Sequence, residues 1–286
     1  MRPFRAPSAI SVELGPRAFD VTTRALVMGV LNRTTDSFFV PAATFDIDEL
    51  LKRAAALVDD GADVLDIGGV RAGPGAEIDE DEELHRVVPV VEALCGRFDV
   101  PVSIDTWRAS VARACFGAGA VLGNDISGFA DPDYLAAAAA AGASVVATHI
   151  RLRPRVADPE PVYGDVVATV ATFLADRAAR AEAAGIPAPR VIVDAGLDLG
   201  KTPGQSLELL RASDVLASGT GHALLLSASN KRFLGSRLDL EIDERTDASL
   251  AAAALGVTLG CRVLRVHDVR GTVRVRDAIA SVLEAA

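Results

Sequence analysis

Eight short apolar runs recur along the whole chain, and each closes on a polar or charged residue: ALVMGVLN, DVLDIGG, VPVSIDT, AVLGNDIS, SVVATHI, RVIVDAG, ALLLSASNK and RVLRVHD. Runs of this length, rich in Val, Ile and Leu without strict alternation, suit parallel strands buried on both faces. Between them lie segments of helical period with stop signals, such as IDELLKRAAALVDD before Gly61 and YLAAAAAAG ending on Gly142. Strand–helix alternation maintained eight times implies parallel strands joined by right-handed crossovers. The pattern predicts an α/β chain, a single (β/α)8 TIM barrel over residues 1–286 with residues 1–24 as an extension leading into it. A doubly wound open sheet is the competing architecture. It would carry a glycine-rich dinucleotide turn after the first strand, where this chain reads NRTTDSFF.

Composition narrows the partners. A hydrophobic share of 50% and a charged share of 24% suit a packed core. The formal net charge of -10 argues against a sequence-independent hold on nucleic acid or anionic lipid. The opening MRPFRAPSAISVELG lacks the continuous apolar core of a secretory signal, and no apolar stretch approaches the roughly 18 residues of a membrane span. Cys95, Cys115 and Cys261 are odd in number and lack a CxxC spacing. They favour a reducing cytoplasm over disulfides or a zinc cage.

An eight-stranded α/β barrel keeps its site at the carboxyl ends of the strands. Those ends are Asn32, Asp66, Asp105, Asn124 with Asp125, His149, Asp194, Ser229 with Lys231, and Arg265 with His267. A carboxylate inside a barrel mouth is costly unless something pairs with it. Each of Asp105, Asn124 and Asp194 alone reads equally well as a cap or ion-pair partner. Together with Lys231 and Arg265 they suit a flat heterocycle with an amidine-like edge, where a carboxylate accepts two parallel N–H bonds and an amide completes the edge. Cations on the last two strands match the usual anion site of this architecture. Of the four histidines, His85 reads as a surface residue of a charged helix and His222 shares no ligand spacing. His149 and His267 end strands and should point toward the mouth, with structural and functional roles both open. GLDLGKTP at residues 196–203 encloses one residue too few for a P-loop and reads as a strand-to-helix turn. RLRPRVADPEP at residues 151–161 reads as a loop near the site.

The ordered motifs MGVLN-x-T-x-DSF, GADVLDIGG, SIDTWRASVARA, GNDISG, VDAGLDLGKTPGQSLELL, SASNKRFLG and RVHDV cover nearly the whole chain. They resemble dihydropteroate synthase and the wider pterin-binding barrel superfamily. The resemblance implies a folate-biosynthesis transferase that condenses 4-aminobenzoate with 6-hydroxymethyl-7,8-dihydropterin diphosphate and releases diphosphate. It implies that Asp105, Asn124, Asp194 and Lys231 hold the pterin. Asn32, Arg265 and His267 would face the diphosphate, with Mg²⁺ near Asn32. Arg71 and Ser229 would lie on the substrate side. Asn32, Asp105, Lys231, Arg265 and His267 form the implied catalytic set, because a departing diphosphate calls for cations and a hard metal rather than a nucleophile. A homodimer through the outer helices and a cytoplasmic location are further expectations.

The chain departs from the family pattern mainly in two loops. Thr35 stands for the usual proline, and residues 40–42 read VPA where Asp-Gly-Gly is usual. Ala72 and Gly73 occupy the Thr-Arg positions that in the family shape the aminobenzoate site and close over the diphosphate. Arg71 stands two residues before the lost arginine and is its candidate substitute. Asn230 interrupts the usual Ser-Arg-Lys, THI replaces Met-His-Met, and Asp198 takes a glycine position beside the pocket. Loop closure orders substrates and excludes water. The departures resemble the divergent second paralogue of actinobacteria, so the alternative is a weak or inactive paralogue that keeps a pterin-like pocket and acts as a binding or partner protein. A methyltetrahydrofolate-handling transferase fits GKTP and SNKRFLG less well, and no cobalamin-binding segment is present.

Overall fold

The computed structural model describes residues 10–32, 47–70, 72–73, 75 and 78–285. A short antiparallel hairpin, β1 (Ser11–Leu14) and β2 (Arg17–Asp20), precedes the barrel. The barrel strands are β3 (Leu26–Asn32), β4 (Val64–Gly68), β5 (Val102–Asp105), β6 (Leu122–Asp125), β7 (Ser144–Thr148), β8 (Val191–Asp194), β9 (Ala223–Leu226) and β10 (Cys261–Val266). All pair in parallel and close in the order β10-β3-β4-β5-β6-β7-β8-β9. This is the (β/α)8 TIM barrel that the eight apolar runs predict.

Ten α-helices accompany the strands among the described residues: α1 (Ile47–Asp59), α2 (Glu80–Arg97), α3 (Ala109–Gly117), α4 (Tyr134–Ala141), α5 (Val166–Ala183), α6 (Pro203–Arg211), α7 (Ser213–Thr220), α8 (Arg232–Gly235), α9 (Thr246–Thr258) and α10 (Val269–Glu284). Several start where side chains satisfy otherwise orphaned amides. Asp79 accepts from the Glu82 N–H at 2.8 Å and Asp165 from Ala168 at 2.9 Å. Before α6, Thr202 and Gln205 form a reciprocal capping box, with Pro203 at the first position. Two helices differ from the sequence pattern. GQSLELLRA is followed by a second helix, α7, after a break at Ala212. The apolar period after LEIDERTD starts as α9 only at Thr246, because Ile242–Glu244 form a 3-10 turn closed by a Glu241–Glu244 capping box.

Alternation along the strands decides which side chains enter the barrel. Met28, Val64, Leu122, Val146, Ile192, Leu225 and Val263 form one apolar cluster with Val12, Leu14 and Val21 of the extension. Their sequence neighbours Val27, Leu65, Val145, Val193, Leu224 and Leu264 belong to the other cluster, shared with the helices. The hairpin therefore plugs the amino-terminal end of the barrel. Gly15 makes that close approach possible: its φ is +58°, and a Cβ there would lie 2.8 Å from Val121 Cγ1. No helix among the described residues is long and apolar enough to cross a membrane.

Candidate active site

One step of two residues up each strand from the apolar floor stands a polar layer. Asp66 follows Val64, Asp105 follows Ser103, Asn124 follows Leu122, Asp194 follows Ile192 and Arg265 follows Val263, so all five share the inward parity of the cluster below. Strand register sets Asp66 opposite Ser103 and Asp105 opposite Asn124. Arg265 then joins two strands: its Nε donates to Asp66 Oδ2 at 2.7 Å and its Nη2 to Asp105 Oδ2 at 2.9 Å. Ser103 Oγ donates to the other Asp66 oxygen at 2.6 Å, and Asn124 Nδ2 stands 3.4 Å from Asp66 Oδ2. Asp66 is fully buried and is the hub of this cluster. Strand-end reading by itself leaves Asp66 without a site role. The signal that finds it is parity, since it lies two residues above an inward valine.

Two carboxylates share one guanidinium here, so the balance of charge is negative. Burial pushes the Asp105 carboxyl up to about 7, with Arg265 opposing the shift and Asp66 adding to it. Burial also works against the charge on Arg265, but Asp66 and Asp105 more than offset it and hold the guanidinium firmly protonated. Outward parity gives Asp125 a different task. Its oxygens accept the Ser127 and Phe129 N–H groups at 2.6 and 3.0 Å and fold the loop after β6.

The second half of the site is the β8–α6 turn and the loop after β9. Asp194 is 5% exposed, and its Oδ1 accepts the Gly196 N–H at 2.8 Å. Burial raises its pKa, with Lys231 as the largest opposing charge. Lys231 sits at the start of α8 and donates to the Leu197 carbonyl at 2.8 Å. Burial lowers its pKa, while Asp194 and Asp198 resist the change. At the rim, Ser229 Oγ lies 3.0 Å from His267 Nδ1 and accepts the His267 backbone N–H at 3.2 Å. Desolvation and the charges of Arg265 and Lys231 lower the His267 pKa. Arg265 and Lys231 each feel Asp105 and Asp194, so the two halves act electrostatically as one site.

His149 departs from the sequence expectation. Thr148 occupies the inward parity of β7, so the next side chain turns outward. Its ring meets Phe173 edge-on at 4.8 Å, and Nδ1 stands 2.9 Å from Lys201 Nζ. Burial lowers its pKa to about 3. His149 is thus a neutral packing residue behind the barrel wall, not a mouth residue. Lys201 explains the GLDLGKTP segment: its Nζ donates to the carbonyls of Gly196, Leu199 and His149 at 2.8, 3.0 and 3.3 Å. Gly196 has φ +65°, and a Cβ there would meet the His149 carbonyl oxygen at 1.9 Å. The strand-to-helix turn expected from the sequence is therefore built on glycine and stapled by a buried lysine.

Asn32 ends β3. Its side chain, Arg71, Thr35 and residues 40–42 lie outside the described residues. Of the two altered positions in the second loop, Ala72 accepts the Arg155 N–H at 3.0 Å, and a Cβ at Gly73 would meet no atom within 4 Å. Among the described residues, no three His, Cys, Asp or Glu side chains converge to hold a metal ion.

An apolar barrel floor beneath a layer of buried acids, an amide and cations at the carboxyl ends of the strands is the arrangement of a (β/α)8-barrel enzyme. The family model described as "Pterin binding enzyme" matches residues 28–267. The chain belongs to that family. "Inactive dihydropteroate synthase 2" of Mycobacterium tuberculosis (strain ATCC 25618 / H37Rv) is 42% identical over 91% of this chain and 83% of that relative. "Dihydropteroate synthase" of Bacillus subtilis (strain 168) is 37% identical over 94% of this chain and 92% of the relative. A solved dihydropteroate synthase from Xanthomonas albilineans, in a structure with 4-aminobenzoic acid, superposes with a TM-score of 0.88 at 34% identity, covering 98% of this chain and 100% of that one.

Proposed function

We propose that the chain is a dihydropteroate synthase-type transferase that joins 4-aminobenzoate to 6-hydroxymethyl-7,8-dihydropterin diphosphate. The observation that carries this reading is the convergence of Asp105, Asn124, Asp194 and Lys231 on one barrel mouth, organised around Arg265. The carboxylates accept the N–H groups of the pterin edge, the amide of Asn124 completes the pattern, and Lys231 donates to ring acceptors. In the reaction the methylene C–O bond breaks, diphosphate leaves with the electron pair, and the arylamine nitrogen bonds to the methylene and gives up a proton. No nucleophilic side chain is required. Arg265 is tied to Asp66 and Asp105, so its first task is to align the pterin-facing acids. The Ser229–His267 pair, at the rim, is better placed for the leaving group and second substrate.

The resemblance assigns Mg²⁺ to Asn32, with the ion held mainly by diphosphate oxygens and water. It would neutralise charge on the leaving group. A homodimer through the outer helices has support in the exposed apolar side chains of Val215, Leu238, Ile242 and Leu255. A cytoplasmic location has support in three free cysteines.

The test is aminobenzoate-dependent diphosphate release from the pterin substrate with Mg²⁺. A folded preparation that releases none at millimolar aminobenzoate rules out the synthase. The second reading is a non-catalytic pterin-binding paralogue. It is favoured by Ala72 and Gly73 in the loop after β4 and by the relative named inactive. Calorimetry separates the two: pterin binding without turnover selects the paralogue, and absence of any pterin binding removes both.

A further inference from the structure

Asp198 carries two irregularities at once. Its φ of +65° is left-handed, a region that favours glycine, and its Oδ1 is buried without a hydrogen-bond partner among the described residues. Its other carboxylate oxygen and its amide are engaged. Its Oδ2 accepts the Phe233 N–H at 3.2 Å, tying the β8–α6 turn to α8, and its own N–H donates to Ser206 Oγ at 3.1 Å. Strained backbone and unpaired buried oxygens persist where the surroundings over-determine them, and they gather at functional sites.

Lys231 supplies the reason. It stands two residues before Phe233, and its Nζ is seated on the carbonyl of Leu197, the residue next to Asp198. The charged and titratable groups facing Lys231 are Asp194 at the end of β8, Asp198 on the turn, Asp105 on β5, and Arg265 and His267 at the end of β10, with Lys201 below the same turn. Burial favours the neutral amine, and Arg265 and Lys201 add repulsion. The three acids oppose both. Asp105, however, is closed on Arg265, and Asp194 spends an oxygen on the Gly196 amide. Of the three, Asp198 is the one with a fully buried oxygen that accepts no hydrogen bond among the described residues.

We propose that Asp198 is a positioning residue for Lys231: its carboxylate, carried on the turn that seats the ammonium, keeps Lys231 cationic at the pocket and sets the pH range over which the pocket holds a polar heterocycle. The proposal takes Lys231 as the pocket cation of the function proposed above.

The chain has three lysines, Lys52, Lys201 and Lys231, and two of them meet at this turn. Protein labelled with ¹⁵N at the lysine side chain therefore gives three Nζ signals, with exposed Lys52 as an internal reference. Lys231→Arg assigns the signal. Asp198→Asn keeps the size and the acceptor for Phe233 but removes the charge. The Lys231 midpoint is expected to fall by about one pH unit while Lys52 stays in place. Asp198→Gly, which suits the left-handed backbone, carries the same test if the asparagine variant does not fold. A merely structural role would lower the melting temperature and leave the midpoint unmoved. An unmoved Lys231 midpoint overturns the proposal. Calorimetry with 6-hydroxymethylpterin then shows whether binding in the Asp198→Asn protein is lost at lower pH than in the wild type. A shifted midpoint in a wild-type protein that binds no pterin upholds the Asp198 role and overturns the pterin pocket instead.

Discussion

On one side of the mouth, Asp66 and Asp105 close directly on Arg265 at 2.7 and 2.9 Å. On the other side, Asp194 is held by the Gly196 amide and Lys231 by the Leu197 carbonyl, each charge steadied by backbone. Both arrangements fix geometry through direct contacts. They differ in what remains for a ligand. The first side ties two acids to one guanidinium and is a rigid frame whose loss is a folding defect, although Asp105 bonds Arg265 through one oxygen and keeps the other for a ligand. The second side leaves charge held by dipoles alone, which a ligand with matching N–H and acceptor groups can complete. Stability and recognition should therefore separate between the two sides when each is mutated.

Arg265→Met is the strongest way to break the comparison. It leaves Asp66 fully buried beside Asp105 with no cation, and unfolding free energy should fall by about 3–5 kcal/mol. Chemical denaturation that shows a loss under 1 kcal/mol would mean the frame is not structural. Lys201→Met tests the turn's scaffold: three carbonyls lose their donor, and a loss of about 3 kcal/mol is expected, measured the same way.

Asp194→Asn should behave oppositely. It removes a buried carboxylate that meets only an amide and distant cations, so the melting temperature should hold. Pterin affinity should fall about 100-fold by calorimetry. Equal losses of stability and affinity would erase the distinction between the two sides.

A titration sharpens it further. Asp105 is raised from 3.8 to about 7, so the folded cluster binds more protons than the unfolded chain across that window. Stability should decline as pH rises from about 4 to 7, and a pterin that donates N–H bonds to the carboxylate should expel up to about one proton near pH 6. Calorimetry in buffers of different ionisation enthalpy reads that proton directly, and no buffer dependence would place the proton elsewhere. The smallest expected effect is the pair Ala72→Thr and Gly73→Arg. Space at Gly73 is open, so stability should not change, while diphosphate release should rise by roughly 10-fold if loop closure limits turnover.

Much of this was legible in the chain. Eight apolar runs ending in polar residues were enough for the barrel, and the motif order was enough for the family. Asp105, Asn124, Asp194, Lys231 and Arg265 could be nominated because they close apolar runs, although Lys231 stands at the start of α8 and not on β9. Position in a run was a poorer guide than parity. His149 ends a strand as plainly as Asp194, yet it faces Phe173, because one residue along a strand turns a side chain to the other face. Asp66 sits at the inward parity, and its importance emerges only when Arg265, 199 residues away, reaches it. Asp198 could be flagged as a residue in a glycine position, whereas its unpaired oxygen and link to Phe233 are properties of packing.

The sequence by itself determined the eight barrel strands, the alternation of strand and helix, the apolar floor and the types of residue at the mouth, because these follow from local period and residue chemistry. Only the tertiary structure decided which charges meet. Closing eight strands into a ring sets residues from β4, β5 and β10 within hydrogen-bond reach, and burial there makes each such meeting worth more than it would be in water.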